Sequence, residues 1–306
     1  MTPPSGRQYR IAHGNQEAIV VEVGGGIRAY RVGTREVLQP YAENAIADGA
    51  HGAVLIPWPN RLRDGRYRFG DADYQVPLTE PTKNNAIHGF LRWRPWQAEA
   101  AAAEVTMRTT LHPRPDYPFQ LDLAVHYALS DAGLTVTTTA HNTGPIPAPY
   151  GCGHHPYLSP GTGAIDSAIL HLDAATRIRT DPYRQLPVGA EPVSDTPDFD
   201  FTLPRQVGAA EIDHAFTDLA RDETGRAWVR LRGIDHQVAE LWVDESYPII
   251  QLYTADTLGP GQRRAGLAAE PMTCPPNAFQ TGDRLIRLAP GATATTRWGA
   301  RLTPAT

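Results

Sequence analysis

The stretch from residue 121 to residue 140, LDLAVHYALSDAGLTVTTTA, decides the fold class. Apolar or β-branched side chains occupy every second position over 121–129 and again over 134–140. Alternation with a period of two is typical of a half-buried β-strand. The sequence Asp131-Ala132-Gly133 lies between the two runs, and glycine readily adopts the positive φ of a tight turn. The stretch therefore predicts a β-hairpin.

Strand patterns of the same kind occur on both sides of this hairpin. The predicted strands are 18–23, 27–32, 35–38, 67–69, 74–76, 104–111, 169–172, 227–231, 238–243, 249–254, 285–288 and 293–302. The first three are separated by glycine-rich turns and read as a meander. We expect the last two to pair with each other across Pro290-Gly291.

Helical signals are nearly absent. Only residues 97–103 are rich enough in alanine to suggest a helix, and they run directly into a strand pattern. No alternation of strands with helices, no internal repeat and no linker-like change of composition is visible. We predict an all-β fold, a large twisted antiparallel β-sandwich that forms a single domain over residues 1–306. Two long segments, 41–60 and 181–206, resist assignment, and loops of that length are usually functional or cover an end of the sheet.

Composition limits the classes of partner. The 306 residues are 41% hydrophobic and 20% charged, and 27 glycines and 28 prolines are too few for a disordered or collagen-like chain. The net charge is −5 and the basic residues are scattered, which does not favour binding to nucleic acid or to an anionic membrane. No apolar run approaches a membrane span, and residues 1–23 do not resemble a secretory signal. We expect a cytoplasmic protein, monomeric or homodimeric, with a small-molecule ligand.

Chemically versatile side chains are concentrated in five short segments. These segments are 57–61 (PWPNR), 85–90 (NAIHGF), 151–158 (GCGHHPYL), 211–216 (EIDHAF) and 266–271 (GLAAEP). All but the fourth are rich in Gly and Pro, so we predict that they are loops. Burial and neighbouring charges can tune the pKa of histidine and glutamate toward neutrality, which makes both residue types candidates for proton transfer.

The order and wording of these segments resemble the aldose 1-epimerase (galactose mutarotase) family over nearly the whole chain, and its shorter bacterial branch in particular. The resemblance implies that His155, in a His-x-Tyr motif, is the general acid and that Glu270, before a loop with Pro and Asn, is the general base. It implies substrate-binding roles for Arg61 of an Asn-Arg pair, for His88 of an Asn-x-x-His-Gly motif and for Asp213 of an Asp-x-x-Phe motif.

The activity implied by the resemblance is the interconversion of the α and β anomers of a hexose or related sugar. His155 would give a proton to the ring oxygen while Glu270 removes the proton of the C1 hydroxyl. Rotation about C1–C2 and reversal of both transfers would then close the ring on the other face. This chemistry needs no metal, nucleotide or redox cofactor. We expect a bell-shaped pH dependence, with the acidic limb following Glu270 and the alkaline limb following His155.

Two departures from the family pattern bear on the site. His154 stands where better-known members often have Asn, and this second imidazole either adjusts the local pKa or packs. The Met272-Thr273-Cys274 sequence after the glutamate leaves the preferred sugar open. Cys152 and Cys274 are too few for a disulfide framework, and we expect both to be thiols. Zinc binding by Cys152, His154, His155 and Cys274 is not favoured, since their spacing fits no closed tetrahedral pattern.

Other functions and roles stay open on the sequence alone. Arg63, Arg92 and Arg94 lie near the binding motifs and suggest an anionic sugar, phosphorylated or sulfonated, although Arg92 and Arg94 could share the solvent face of a strand. A non-catalytic carbohydrate-binding protein is a further alternative. Trp58 is the best aromatic candidate for a pocket wall. Three site residues also have structural alternatives: Arg61 could pair with Asp64, Asp213 could cap a turn, and His88 could be a buried hydrogen-bonded residue.

Overall fold

The computed structural model describes residues 2–304, and antiparallel strands dominate it. Strands of the first half are β1 (Gln8–His13), β2 (Gln16–Val21), β3 (Ile27–Val32), β4 (Arg35–Leu38), β5 (Val54–Leu55), β6 (Arg61–Arg63), β7 (Arg66–Phe69), β8 (Ala72–Gln75), β9 (Asn85–Ile87), β10 (Gln97–Ala100), β11 (Glu104–Leu111), β12 (Leu121–Ser130), β13 (Gly133–Asn142) and β14 (Ala148–Tyr150).

The second half of the chain is built in the same way. Its strands are β15 (Gly153–His154), β16 (Tyr157–Leu158), β17 (Ile169–Leu172), β18 (Ala174–Thr180), β19 (Pro187–Pro192), β20 (Arg205–Gln206), β21 (Asp213–Leu219), β22 (Ala227–Arg232), β23 (Gln237–Val243), β24 (Ile249–Tyr253), β25 (Leu267–Met272), β26 (Ile286–Leu288) and β27 (Thr293–Pro304).

Helical structure is limited to short turns. One α-helix of four residues covers Ala278–Thr281. The 3₁₀ turns are Asp48–Ala50, Pro81–Lys83, Ile165–Ser167, Val193–Asp195 and Pro197–Phe199. Between residues 2 and 304 no helix has the length and apolar character needed to span a bilayer.

Two large sheets carry the fold. The first sheet has the strand order β1-β2-β3-β4-β16-β25-β24-β21-β18-β19, with β15 bridging β25 and β5. The second has the order β10-β11-β12-β13-β27-β23-β22-β17-β20. Their inner faces share one apolar core that includes Tyr30, Ile250, Val125 and Trp298. The prediction of an all-β antiparallel sandwich is confirmed.

The hairpin that indicated the fold is present. β12 pairs with β13 from Leu121↔Asn142 to Ser130↔Gly133, and a two-residue turn connects them. The apolar positions of β12 are buried and the alternate positions are not. Gly133 has a φ of +102°, a conformation that side chains with a Cβ rarely adopt. The period-two pattern in the sequence therefore arises because one face of β12 is buried.

One helical signal in the sequence has no counterpart in the structure, and one predicted strand pairing is wrong. Residues 97–103 do not form a helix, because β10 pairs with β11, which follows it directly, and this pairing outweighs the weak helical preference of a few alanines. Strand 285–288 does not pair with 293–302. Instead β26 pairs with β14, and β27 lies between β13 and β23.

A second wrong prediction concerns the glutamate segment. Residues 266–271 are not a loop, because β25 lies inside the first sheet between β16 and β24 and all its residues are buried. A strand buried on both faces has no polar alternation, so its pattern does not distinguish it from other apolar segments. Glu270 is therefore held by a rigid central strand.

Candidate active site

A cleft of about 1060 Å³ contains the side chains that the sequence singled out. Its lining includes all five predicted site residues, Arg61, His88, His155, Asp213 and Glu270. The two unassigned segments also contribute, through residues 46–50 and 60 from the first and 181, 182 and 185 from the second. Segments distant in sequence thus converge on one concave site, which is the usual setting of a small-molecule site.

His155 and Glu270 are in direct contact at the base of this cleft. His155 directly follows β15, Glu270 lies on β25, and β15 pairs with β25 through Gly153↔Met272. The distance from His155 Nε2 to Glu270 Oε1 is 3.2 Å, and both side chains are more than nine-tenths buried. The strand pairing therefore holds an imidazole and a carboxyl group within hydrogen-bond reach.

Burial moves the two pKa values in opposite directions. Burial lowers the pKa of His155, and the nearby charges of Arg92 and Arg61 act in the same sense. Burial raises the pKa of Glu270 well above its ordinary value, and the charge of Asp213 adds to this while Arg61 opposes it. The neutral pair, a carboxylic acid beside a neutral imidazole, is thus favoured in the free protein. Proton transfer along the contact would convert it to an imidazolium and a carboxylate.

This ordering reverses the expected limbs of the pH profile. For the anomer exchange that the sequence resemblance implies, we predict a bell-shaped kcat/KM profile, with its acidic limb set by protonation of His155, below the ordinary value of 6.5. Its alkaline limb is set by ionisation of Glu270, above the ordinary value of 4.5. Steady-state rates against pH, combined with NMR titration of the His155 ring, test this. An imidazole that loses its charge along the alkaline limb would contradict it.

His154 belongs to the core and not to the cleft. Its Nε2 lies 2.9 Å from Thr138 Oγ1 of the second sheet, and its ring centroid lies 5.4 Å from that of Trp298. Successive residues of a strand point to opposite faces, so His154 faces the second sheet while His155 faces the cleft. Burial lowers the pKa of His154 to about 3. Of the two alternatives left open by the sequence, the structure shows packing.

Arg61 is part of a network of charges on the cleft wall. Its Nε donates to Glu80 Oε2 at 3.0 Å, and one terminal nitrogen lies 3.6 Å from Asp213 Oδ2. The suggested partner Asp64 contacts Arg184 instead, at 2.8 Å. Arg61 is therefore fixed by two carboxylates, and its guanidinium faces the cleft.

Asp213 starts β21 and does not cap a turn. Gln251 Nε2 donates to its Oδ1 at 2.6 Å, and Gln185 donates to its Oδ2. Gln251 is the cross-strand partner of Glu270. Neighbouring strands thus place Asp213, Gln251 and Glu270 side by side.

His88 is a neutral hydrogen-bond donor by its geometry. Its Nδ1 accepts the backbone N–H of Asn60 at 3.2 Å, so the ring proton resides on Nε2. Burial lowers the pKa of His88 well below its ordinary value. Its ring meets that of His155 edge-on at a centroid distance of 5.4 Å. His88 is indeed buried and hydrogen-bonded, and it also lines the cleft.

The aromatic wall residue was predicted wrongly. Trp58 is buried and packs against Phe90 and Phe279 beneath the site. Trp93 lines the cleft instead, with 51% of its surface exposed. Of the three suggested arginines only Arg92 lines the cleft, and it lies with Arg94 in a turn and not on the solvent face of a strand.

Cys152 and Cys274 are buried free thiols. Among residues 2–304 no group of three or more His, Cys, Asp or Glu side chains is arranged to hold a metal ion.

Comparison with known proteins identifies the family of this chain. The model of the family described as aldose 1-epimerase matches residues 7–299. The chain belongs to the aldose 1-epimerase family. One relative, the uncharacterized protein YihR of Escherichia coli K12, is 35% identical over 289 residues, which are 94% of this chain and 90% of YihR.

Solved structures of aldose 1-epimerase relatives show the same fold. A GalM/aldose epimerase homologue from Caenorhabditis elegans matches with a TM-score of 0.85 and 18% identity, over 98% of this chain and 99% of that one. Galactose 1-epimerase from Lactobacillus acidophilus matches with a TM-score of 0.81 and 18% identity, over 96% and 93%. At this identity the likeness supports the sandwich alone.

Proposed function

We propose that this member of the aldose 1-epimerase family is a mutarotase that interconverts the α and β anomers of a hexose or related sugar. The observation that carries the proposal is the buried contact of His155 with Glu270 inside the cleft. Simple binding of a sugar does not require an acid and a base in contact with each other. The pair therefore favours catalysis over a purely carbohydrate-binding role.

The reaction uses the one acidic proton that His155 and Glu270 share. Transfer of the Glu270 proton to His155 gives the imidazolium and the carboxylate. His155 Nε2 then protonates the ring oxygen as the bond from C1 to that oxygen breaks, while Glu270 takes the C1 hydroxyl proton and the carbonyl forms. Rotation about C1–C2 exposes the other carbonyl face, and the same two transfers in reverse close the ring. The enzyme ends in its starting protonation state.

The remaining predicted residues would hold the sugar in place. Arg61 and the Nε2–H of His88 offer donors to hydroxyl oxygens, and Asp213 offers acceptors. All three are fixed by protein contacts before a ligand arrives, which reduces the entropy lost on binding. The ring oxygen and the C1 hydroxyl can thus be kept near His155 and Glu270.

Anomer exchange across a panel of neutral and anionic sugars tests the proposal. Polarimetry or NMR of a freshly dissolved single anomer should show exchange that scales with enzyme concentration and persists after prolonged chelation. Binding without faster exchange would contradict the proposal and favour the carbohydrate-binding alternative. Activity lost on chelation and restored by zinc would contradict the metal-free mechanism.

An anionic sugar is the second candidate, and Arg92 is the observation that favours it. Arg92 lines the cleft and is half-buried. Its guanidinium makes no hydrogen bond and no ion pair to the rest of chain 2–304, although it lies 5.4 Å from the ring centroid of Trp93. Burial lowers its pKa, so an anion in the cleft would be favourable for it. A phosphorylated or sulfonated sugar carries such a group.

We predict that Arg92→Gln raises KM for an anionic sugar about 10- to 100-fold, because charge-assisted hydrogen bonds contribute about 1.5–3 kcal/mol. KM for the neutral analogue should change little. Arg94→Gln is the matched control, since Arg94 is exposed in the same turn and does not line the cleft. Equal effects of Arg92→Gln on both sugars would rule out an anion contact.

A further inference from the structure

The ring of His155 lacks the hydrogen bond that usually orients a catalytic imidazole. In many enzymes a carboxylate or carbonyl accepts from the second ring nitrogen and fixes both tautomer and ring plane. Here Nδ1 of His155 is buried and has no partner among the described residues. A single contact, from Nε2 to Glu270, does not fix the orientation of the ring plane. Another group must restrain it.

Tyr157 supplies the neighbouring surface. Its ring lies nearly parallel to the His155 ring, with an interplanar angle of 25° and a centroid distance of 5.1 Å. His51 also stacks on Tyr157, at 3.9 Å and 8°. His51 and Tyr157 are both buried, and neither belongs to the lining of the cleft. The rings of His51, Tyr157 and His155 therefore form one stacked unit, and His88 meets the His155 ring of this unit edge-on.

Hydrogen bonds fasten this unit to the cleft wall. Tyr157 Oη donates to the carbonyl of Gly49 at 2.7 Å, and His51 Nδ1 lies 3.3 Å from the carbonyl of Asp48. The backbone of His155 is bonded in both directions to the same segment, since its carbonyl accepts from Gly52 at 2.9 Å and its N–H donates to Ala53 at 3.0 Å. Segment 48–53 is thus hydrogen-bonded directly to both His155 and Tyr157.

We infer that Tyr157, backed by His51, is the positioning residue that sets the ring plane of His155. Its hydroxyl bond to Gly49 holds the phenol ring in place, and the ring restrains the imidazole that has no Nδ1 partner. The electron-rich face of the phenol also favours the imidazolium formed when the proton arrives from Glu270. The inference rests on the proposed function, because it assigns Tyr157 a part in the same proton transfer.

Three variants and two readouts test it. Tyr157→Leu should lower kcat for anomer exchange about 10- to 100-fold with KM changed less than about threefold, because the substrate contacts remain while the acid is misaligned. Tyr157→Phe retains the ring and should recover most of kcat. Tyr127→Leu is the matched control: Tyr127 is equally buried, its hydroxyl donates to the Gly25 carbonyl at 2.8 Å, and neither residue lines the cleft. It should lose stability and keep kcat.

The second readout is the NMR spectrum of the His155 ring, which does not depend on activity. Tyr157→Leu should shift or broaden the His155 ring signals, and Tyr127→Leu should leave them unchanged. A folded Tyr157→Leu protein with wild-type kcat and unchanged His155 signals would overturn the inference. If that variant does not fold, a reserve variant decides the question: His51→Leu removes the ring that backs Tyr157 and should lower kcat and shift the His155 signals, so wild-type kcat with unchanged signals there would overturn the inference. A wild type without anomer exchange contradicts the proposed function, and the NMR comparison still decides the role of Tyr157.

Discussion

His155→Ala is expected to lower kcat for anomer exchange by about 10² to 10⁴-fold, which corresponds to roughly 3–5 kcal/mol of barrier. Alanine removes the imidazole that contacts Glu270 Oε1. Ring opening would then require water to protonate the ring oxygen. KM should change far less, since Arg61, His88 and Asp213 keep their places in the cleft.

Glu270→Gln should lower kcat by the same order, because the amide keeps the size of the side chain but cannot take the C1 hydroxyl proton. Polarimetry of wild type and variants at matched concentrations of folded protein measures both effects. The control is His154→Ala, which should retain most activity because His154 faces the second sheet. An active His155→Ala beside an inactive His154→Ala would show that the motif is misassigned by one residue. If His155→Ala and His154→Ala were both active, the acid–base mechanism would be refuted.

Acidification is expected to unfold the protein steeply between about pH 6 and pH 4.5. Burial lowers the pKa of His51 to about 4 and of His154 to about 3, and it lowers that of His88 well below 6.5. Below pH 6.5, the ordinary pKa of histidine, these side chains are protonated in the unfolded chain but stay neutral in the folded protein. The free energy of unfolding therefore falls as the pH falls. Each such histidine contributes up to about 1.4 kcal/mol per pH unit. The raised pKa of Glu270 stabilises the folded state as the pH falls, and it offsets the contribution of about one histidine.

Urea unfolding followed by tryptophan fluorescence at several pH values measures this slope. His154→Asn should reduce it by up to about 1.4 kcal/mol per pH unit, because the amide does not titrate and can still hydrogen-bond to Thr138. A free energy of unfolding that is constant from pH 6.5 to pH 4.5 would contradict the prediction. So would a slope that His154→Asn leaves unchanged.

The sequence predicted the features that local patterns record. The hairpin β12–β13 could be predicted because one face of its strands is buried and the other is more exposed to solvent. This difference produces the alternation of apolar and polar residues in the sequence. Family motifs brought His155, Glu270, Arg61, His88 and Asp213 together before any geometry was known, and the structure places all five in one cleft.

Pairings between distant segments could not be predicted in the same way. Gln251 reaches Asp213 only because β24 lies between β21 and β25, and no short-range pattern encodes that order. Glu80 becomes the partner of Arg61 through the pairing of β6 with β9 and the bridge of Glu80 to Asn85. The placement of the two tryptophans also depends on such contacts, since Trp58 is buried against Phe90 and Phe279 whereas Trp93 lies exposed in a turn that lines the cleft.

The two-residue strand β15 also limits how this chain can change in length. It pairs with β5 through His154↔Val54 and with β25 through Gly153↔Met272. Because this register is fixed, side chains at alternate positions face the cleft and the second sheet. Inserting or deleting one residue here would exchange the surroundings of two adjacent histidines at once. Evolution can therefore vary this segment by substitution, whereas a single-codon insertion or deletion would turn the core histidine toward the cleft.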